Sequence, residues 1–583
     1  MDATVGKERF CQMFKGTAVV VTDLAPGHSR DLANRANEAA GRGDASLHTK
    51  AEYLALFDLL VDDNRGGPRA AELVLLDETG RLTAAGLAIQ DYVRASEGKP
   101  EFFETDMYMF HVRGFPRERG VLVRPVESSG DARLALWRTD HKDNRQLPPP
   151  GDEGVLFSTP AFSLMNSGNR TLHAPKSSWK ISFETAGRGG PLAGMARVNL
   201  KSMYNDPAQM REALAWRLFG KAGVPSPRHT YAKLAFNATY SGLFSVIEQV
   251  DKRFLKDHFG KNDRGNLYKA YCGDVGCATL EHRVGPDGDD SGRQYFRSAS
   301  GDRTYRLKTN EDDTRANSYD DLARFTAVIN GVGLPGGDKR FDTDAFRASV
   351  DDIMNARAFL RWAGVNLLLG SWDNYFATPA NYYLYNSGRH GAEDDFVSSP
   401  YFTFIPWDYD NCMGIDYFGS QWQYTDILDW PSNTSRYWRS HATSRIPLVQ
   451  NLLRNHDYCQ YYLDYLEHIL DTEFNPGSIA ALIGAEGAGG LWDRVRQAAY
   501  LESATPYGQP FTGRQFSNDE VYSSGCLQYE LRHANEKVDG IVHYVRMRRD
   551  SAQRQLKELR KTMPRVTDEA AFPAEMETLP RQA

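Results

Sequence analysis

Cysteine is scarce in this chain, with six (Cys11, Cys272, Cys277, Cys412, Cys459 and Cys526) among 583 residues. That is too few to staple a molecule of this size, and no CxxC or Cys/His spacing suits zinc. Free thiols in a reducing compartment are the expectation, even for Cys272 and Cys277, which flank the short stretch GDVG. Positive charge is not in excess either. The 69 basic and 76 acidic residues leave a net charge of −7, no footprint for a polyanion, and nucleic acid is not an expected partner. Long apolar runs are missing too. The first residues, MDATVGKERFCQMFKGTAVVVTD, carry acids early and only a brief apolar stretch from Ala18 to Val21. They contain neither a secretory h-region nor a membrane span, so the expected location is cytoplasmic, with no membrane partner.

What the chain has is the composition of a soluble globular protein, 41% hydrophobic and 25% charged, at a length that calls for more than one structural unit. Residues 1–98 read as a helical N-terminal region, because AEYLALFDLLVDD repeats its apolar residues at helical spacing. Residues 99–154 read as a strand-containing region, marked by MYMFHV, that ends in the linker HKDNRQLPPPGDEG. A strand-rich lobe is expected over 155–252 and a helix-rich lobe over 253–562, which makes the class α+β. The polar residues 563–583, with three prolines, read as a disordered tail.

In the strand-rich lobe, SWKISFE alternates Trp179, Ile181 and Phe183 against Lys180, Ser182 and Glu184, the period of a half-buried strand. Next, YNDPAQMREALAWRLFGKAGVP reads as a helix with Asp206 as N-cap, Pro207 at its first position and Gln209 closing a capping box. Two more strands, TYAKLAFN and GLFSVIEQV, run into Glu248, Gln249 and Asp251. A strand lysine, a helix with Arg211 and Glu212, and two strands ending in acids follow the order of a kinase small lobe.

In the helix-rich lobe, NARAFLRWAGVNLLLGSW is apolar nearly all round and reads as a central helix ending at Gly370. Asp373 follows it in a loop that Pro379 keeps from being helical. Asn381 then opens the strand NYYLY, and FTFIPW returns as its hairpin partner, so Asp408 should come back beside Asp373 and Asn381. One acid placed to accept a hydroxyl proton, with an asparagine and further acids offering hard oxygens to Mg²⁺, is what phosphoryl transfer needs. Ordinary protein kinases are excluded: HRD, DFG and GxGxxG are absent, and Asp373 and Asn381 lie eight apart where those enzymes have five.

Several stretches together resemble the spore coat protein H (CotH) kinase family, atypical kinases with a diverged two-lobed kinase-like fold. They are NSGNRTLHAPKSSWKISFE, VNLKSMYNDPAQMREALAWRLFGKAGVPSP, YSGLFSVIEQVDKRFLKDHFG with GNLYK, WDNY with NYYLY, and FIPWDYDNCMG, with VDGIVHYVRMRRDSAQRQL resembling the closing helix. The resemblance covers roughly residues 160 to 560. It implies that Asp373 is the catalytic acid, that Asn381, Asp408 and Asp410 face the metal, that Lys180 lies at the phosphates and that Glu248 lies near the adenine. The implied cofactors are ATP and Mg²⁺, and the implied acceptor is a Ser/Thr hydroxyl of a protein substrate. Two positions depart from the family: Ser167 stands where an arginine is usual, and Asn237-Ala238 replaces an Asn-Gly turn. AMP transfer on the same fold and a non-catalytic coat or surface scaffold are the alternatives the sequence leaves open. Three glycosylation-type triplets, at Asn169, Asn237 and Asn433, are short enough to arise by chance.

Overall fold

The computed structural model describes most of the chain between Met107 and Val566, together with Phe572. Residues 1–106 and 573–583 fall outside the described residues, as do the connecting stretches 114–125, 169–175, 184–194, 390–394, 430–445, 503–526 and some shorter ones. The expected helical region 1–98 therefore lies outside them, and most of the expected tail does too. All described residues belong to the unit that begins at Glu104.

Nine strands form one sheet: β1 (Met107–Arg113), β2 (Val126–Glu127), β3 (Arg133–Thr139), β4 (Val155–Thr159), β5 (Phe162–Ser167), β6 (Ser178–Phe183), β7 (Arg197–Lys201), β8 (His229–Phe236) and β9 (Thr239–Glu248). Their spatial order is β2-β5-β6-β7-β9-β8-β1-β3-β4. The strand expected at MYMFHV exists, but it is no part of a separate region. β1 pairs in parallel with β8, from Met107 opposite Tyr231 to Val112 opposite Phe236, so the sheet recruits residues far upstream of 155. β8 and β9 pair as a hairpin across Asn237-Ala238, with Asn237 in the left-handed region (φ 50°) that such tight turns demand.

The helix after β7 starts later than its sequence suggests. Helix α1 spans Arg211–Lys221 with Met210 at its N-cap and no side-chain cap. Asp206 instead accepts from the backbone N–H of Ala208 (3.0 Å) and Arg211 (2.7 Å), and its carboxylate pairs with the Arg211 guanidinium at 2.6 Å. The capping chemistry is present, but it stabilises the turn ahead of the helix. Met210, Leu214 and Leu218 are buried, as their spacing predicts.

A second, four-stranded sheet follows helix α2 (Lys252–Phe259), which Asp251 caps by accepting from the Arg253 N–H. Its strands are β10 (Asn266–Ala270), β13 (Tyr305–Leu307), β14 (Tyr382–Asn386) and β15 (Phe402–Pro406), ordered β13-β10-β14-β15; between β10 and β13 a two-strand ribbon forms from β11 (Cys272–Gly273) and β12 (Gly276–Cys277). Helix α3 (Ala356–Leu369) is buried on every side, with Asn355 capping its start and Gly370 its end. Gly370 has φ 58°, and a Cβ there would lie 2.1 Å from the Tyr544 hydroxyl oxygen, so only glycine fits. The later helices that bear on the site are α4 (His456–Thr472), packed on α3, α5 (Leu491–Glu502) and α6 (Ile541–Leu559). Helix α5 returns to the larger sheet and packs on β9.

Cys272 and Cys277 close β11 and β12 with a disulfide, against the free-thiol expectation. The antiparallel ribbon sets the two residues directly opposite each other, which five positions of sequence do not reveal. Cys412 and Cys459 are free and buried. No helix among the described residues is long and apolar enough to cross a membrane.

Candidate active site

The smaller sheet brings the acids together. Tyr382 stands opposite Pro406 and Tyr383 opposite Ile405, so the residues just before β14 and just after β15 end up as neighbours, as the hairpin predicts. Asp373 accepts from the Thr378 hydroxyl at 2.8 Å and from the Asn411 amide at 3.3 Å. Asn381, in the left-handed region at φ 52°, donates its amide N–H to the Asp373 carbonyl oxygen at 2.9 Å. That bond fixes the orientation of the amide and leaves its oxygen, the hard end, unengaged among the described residues.

The chain turns after Pro406. Strand β15 ends there, and Asp408 sits at φ 66°. Even so, Asp408 and Asp410 are both half-buried while Trp407 and Tyr409 are buried. Their surroundings differ. Asp408 is ion-paired with Lys201, at the end of β7. Asp410 instead acts on Asp373 and on Glu212 of α1, and its negative charge helps to raise both of their pKa values.

The sequence offers Glu212 only as an acid of the helix after β7 and does not point to Lys201 at all. Glu212 is buried, lies 3.6 Å from the Lys201 ammonium and accepts from the Tyr409 N–H at 3.4 Å. One of its carboxylate oxygens is buried without a hydrogen-bond partner. Burial is the main cause of its raised pKa, which Lys201 opposes and Asp410 reinforces. The strand lysine that pairs with the helix acid is therefore Lys201, on β7, and not Lys180, on β6. In VNLKS, Val198 and Leu200 are buried and Lys201 takes the alternate face, the same pattern that Lys180 shows on β6 beside buried Ile181. Arg211 locks this geometry: its guanidinium donates to the backbone carbonyls of Met413 (3.2 Å) and Asp539 (2.7 Å).

Lys180 is opposite Asn199, two residues from Lys201, so both lysines lie on one face of the larger sheet. From the smaller sheet, Lys269 approaches the same area. Its ammonium lies 5.9 Å from the centre of the Trp407 ring, and that of Lys201 lies 6.0 Å from the same centre. Glu248, expected near an adenine, is almost wholly buried. Its carboxylate is held by Arg228, through a 2.6 Å ion pair and the Arg228 N–H at 3.1 Å, with His258 nearby. Although burial pushes its pKa up, those cations win and bring it to about 2. The side chain is committed to holding the end of β9, and the neighbour that reaches the second sheet is Gln249, which hydrogen-bonds Tyr383.

A magnesium ion suits this donor set. The Asn381 oxygen, the Asp408 and Asp410 carboxylates and Asp373 are hard ligands, and burial with mutual repulsion raises the Asp373 and Glu212 pKa values in a way that a nearby cation would relieve. No three His, Cys, Asp or Glu side chains are assembled as a ready-made cage among the described residues. Mg²⁺ does not ask for one, since it keeps waters and draws ligands from substrate phosphates.

A half-buried acid on a loop, an acid-rich turn after a hairpin and a lysine–glutamate pair between β7 and α1 are set in an α+β fold. The family model described as CotH kinase protein matches residues 166–488, more than half of the chain, and the chain belongs to that family. The stretch from Lys180 to Asn411, which carries these acids and lysines, lies inside the match. Among curated proteins it is similar to the invasin CotH2 of Rhizopus delemar, at 23% identity over 332 residues, covering 55% of this chain and 47% of that protein. The chain thus spans about half the length of that relative.

Proposed function

We propose that the chain is an atypical kinase that transfers the γ-phosphoryl group of Mg²⁺-bound ATP to a Ser/Thr hydroxyl of a protein substrate. The observation that carries this reading is the convergence of Asp373, Asn381, Asp408 and Asp410 with the Lys201–Glu212 pair, from two sheets and one helix. Asp373 is the proton acceptor, held by Thr378 and Asn411 so that a carboxylate oxygen meets the incoming hydroxyl. Lys201, oriented by Glu212 and Asp408, supplies positive charge where negative charge gathers on the transferred group. When bound, Mg²⁺ neutralises phosphate charge; Asn381, Asp408 and Asp410 would hold it.

The relative's name, invasin, describes that protein, and it keeps a non-catalytic surface role as the contrasting reading. A scaffold has no use for a raised-pKa acid beside three further metal-type donors, which favours the enzyme. The test is incorporation of label into a lysate from ATP labelled at the γ or the α phosphate, comparing wild type with Asp373→Asn. Label from γ alone, lost in the variant, is the expected result. Label from α would mean AMP transfer, and label from neither would leave the scaffold.

A further inference from the structure

Among the described residues, two half-buried lysines at the junction of the sheets have no ion-pair or hydrogen-bond partner. Lys269, near the end of β10, stands opposite Arg306 on β13 and Tyr383 on β14, and its ammonium lies 5.7 Å from the centre of the Tyr383 ring. Lys180 faces it from β6. The charged groups acting on Lys269 are Lys180, Lys201, Lys308 and Arg306, all cations; those acting on Lys180 include Arg197, Lys308 and the single acid Asp251. Of the lysines in this ring, only Lys201 has a carboxylate in an ion pair.

Aromatic faces alone do not make such a site favourable. A cation–π contact offers about 0.5–2 kcal/mol, whereas withdrawing an ammonium group from water beside like charges costs more. Burial first, and the neighbouring cations second, hold both lysines down at about 8. Two sheets that each present an uncompensated lysine to one space are built for an occupant with several negative charges in a row. Asp408, already paired to Lys201 beside Trp407, sets where that row begins.

Resting on the nucleotide reading of the cleft, we infer that Lys269 and Lys180 form a two-sided clamp on the polyphosphate chain of a nucleoside triphosphate, one lysine from each sheet. Lys269 is then the group that lets the smaller sheet sense phosphate number, so that ATP is gripped by both sheets and AMP is not. The clamp is distinct from the Lys201–Glu212 pair, whose charge is balanced within the protein.

The experiment is calorimetric titration of the full chain with ATP and with AMP, in Mg²⁺, using wild type, Lys269→Gln and Lys269→Arg, with melting temperatures of the free proteins. Lys269→Gln should weaken ATP binding by roughly 10- to 100-fold, the loss of a hydrogen bond between charged groups, and leave AMP within about twofold. Lys269→Arg should recover most of the ATP affinity. Free Lys269→Gln should melt no lower than wild type, because it sheds an uncompensated charge. ATP affinity unchanged in Lys269→Gln would overturn the clamp alone. Equal losses for ATP and AMP, or a lowered melting temperature, would overturn it in favour of a packing role. Failure of wild type to bind ATP would overturn the nucleotide reading and the clamp with it.

Discussion

Asp373 is held in tension between two demands. Burial and the Asp410 charge favour its protonated form, while the Thr378 and Asn411 hydrogen bonds and Lys201 favour the carboxylate; the net shift is upward. A carboxyl whose folded pKa lies above its unfolded value contributes stability that is complete at low pH and is lost as pH rises through the folded value. Near pH 7 the carboxylate therefore weakens the fold. Asp373→Asn should melt no lower than wild type, and higher by a few degrees at most, while phosphoryl transfer falls at least about 100-fold. Thermal unfolding and a label-transfer assay on one preparation check both halves; a variant that keeps its activity removes Asp373 from the mechanism. Asp373, Asn381, Asp408 and Asp410 stood at ends of recognisable elements, so their meeting could be foreseen. Lys201 could not be chosen over Lys180 by pattern, since both alternate outward on neighbouring strands, and only the position of α1 decides which reaches Glu212. Lys201→Met should accordingly reduce transfer more than Lys180→Met, because it also strips Glu212 and Asp408 of their shared cation. Steady-state rates of the two variants decide the order.

Local elements were read well where their own residues determine them. The alternation in NYYLY and FTFIPW and the apolar girdle of α3 are properties of short windows, and both appear as expected. The start of α1 was missed because Asp206 found a stronger partner in Arg211 than in a capping box, and Gln209 turned instead to Glu502 of α5 at 3.1 Å. That last contact belongs to a clamp of distant elements. Lys176, ahead of β6, pairs with Glu502 at 2.6 Å, and both side chains are nearly inaccessible, at 1% and 3%. Glu502 also accepts from the Leu243 N–H of β9 at 2.5 Å. Removing one member of a buried pair leaves an uncompensated charge, at a cost of about 3–5 kcal/mol. Glu502→Ala should lose that much in denaturant unfolding. Gly242→Ala should fail at the same place, since φ there is 133° and a Cβ would lie 2.7 Å from a Glu502 oxygen. If both variants unfold like wild type, α5 does not hold the larger sheet as described.

At the scale of the whole molecule, the parts that sequence reading misassigned are those joined across long separations. Strand β1 pairs with β8 about 120 positions later, and α5 returns to β9 after the whole smaller sheet has been built. No window of periodicity contains such partners. The disulfide is a related case, since thiols five positions apart are ambiguous until a ribbon sets them face to face. Its place matters to the site. Directly after Cys277, the Ala278 N–H donates to the Pro379 carbonyl (2.8 Å), and the Ala278 and Thr279 carbonyls accept from the hydroxyls of Tyr382 and Tyr375. The cross-linked ribbon thus braces the loop that carries Asp373 and Asn381. A disulfide of this kind persists in an oxidising compartment, which runs against the cytoplasmic location expected from the sequence. Protein isolated from its native source with rapid thiol trapping should yield a Cys272–Cys277 linked peptide, with Cys412 and Cys459 alkylated only after unfolding. Recovery of Cys272 and Cys277 as trapped thiols would restore the reducing compartment. The paired variant Cys272→Ser/Cys277→Ser should lower stability by about 2 kcal/mol, the loop-closure value for so short a ring. Its transfer rate should fall by more than its affinity for ATP, because the brace acts on the loop of Asp373 and not on the lysines.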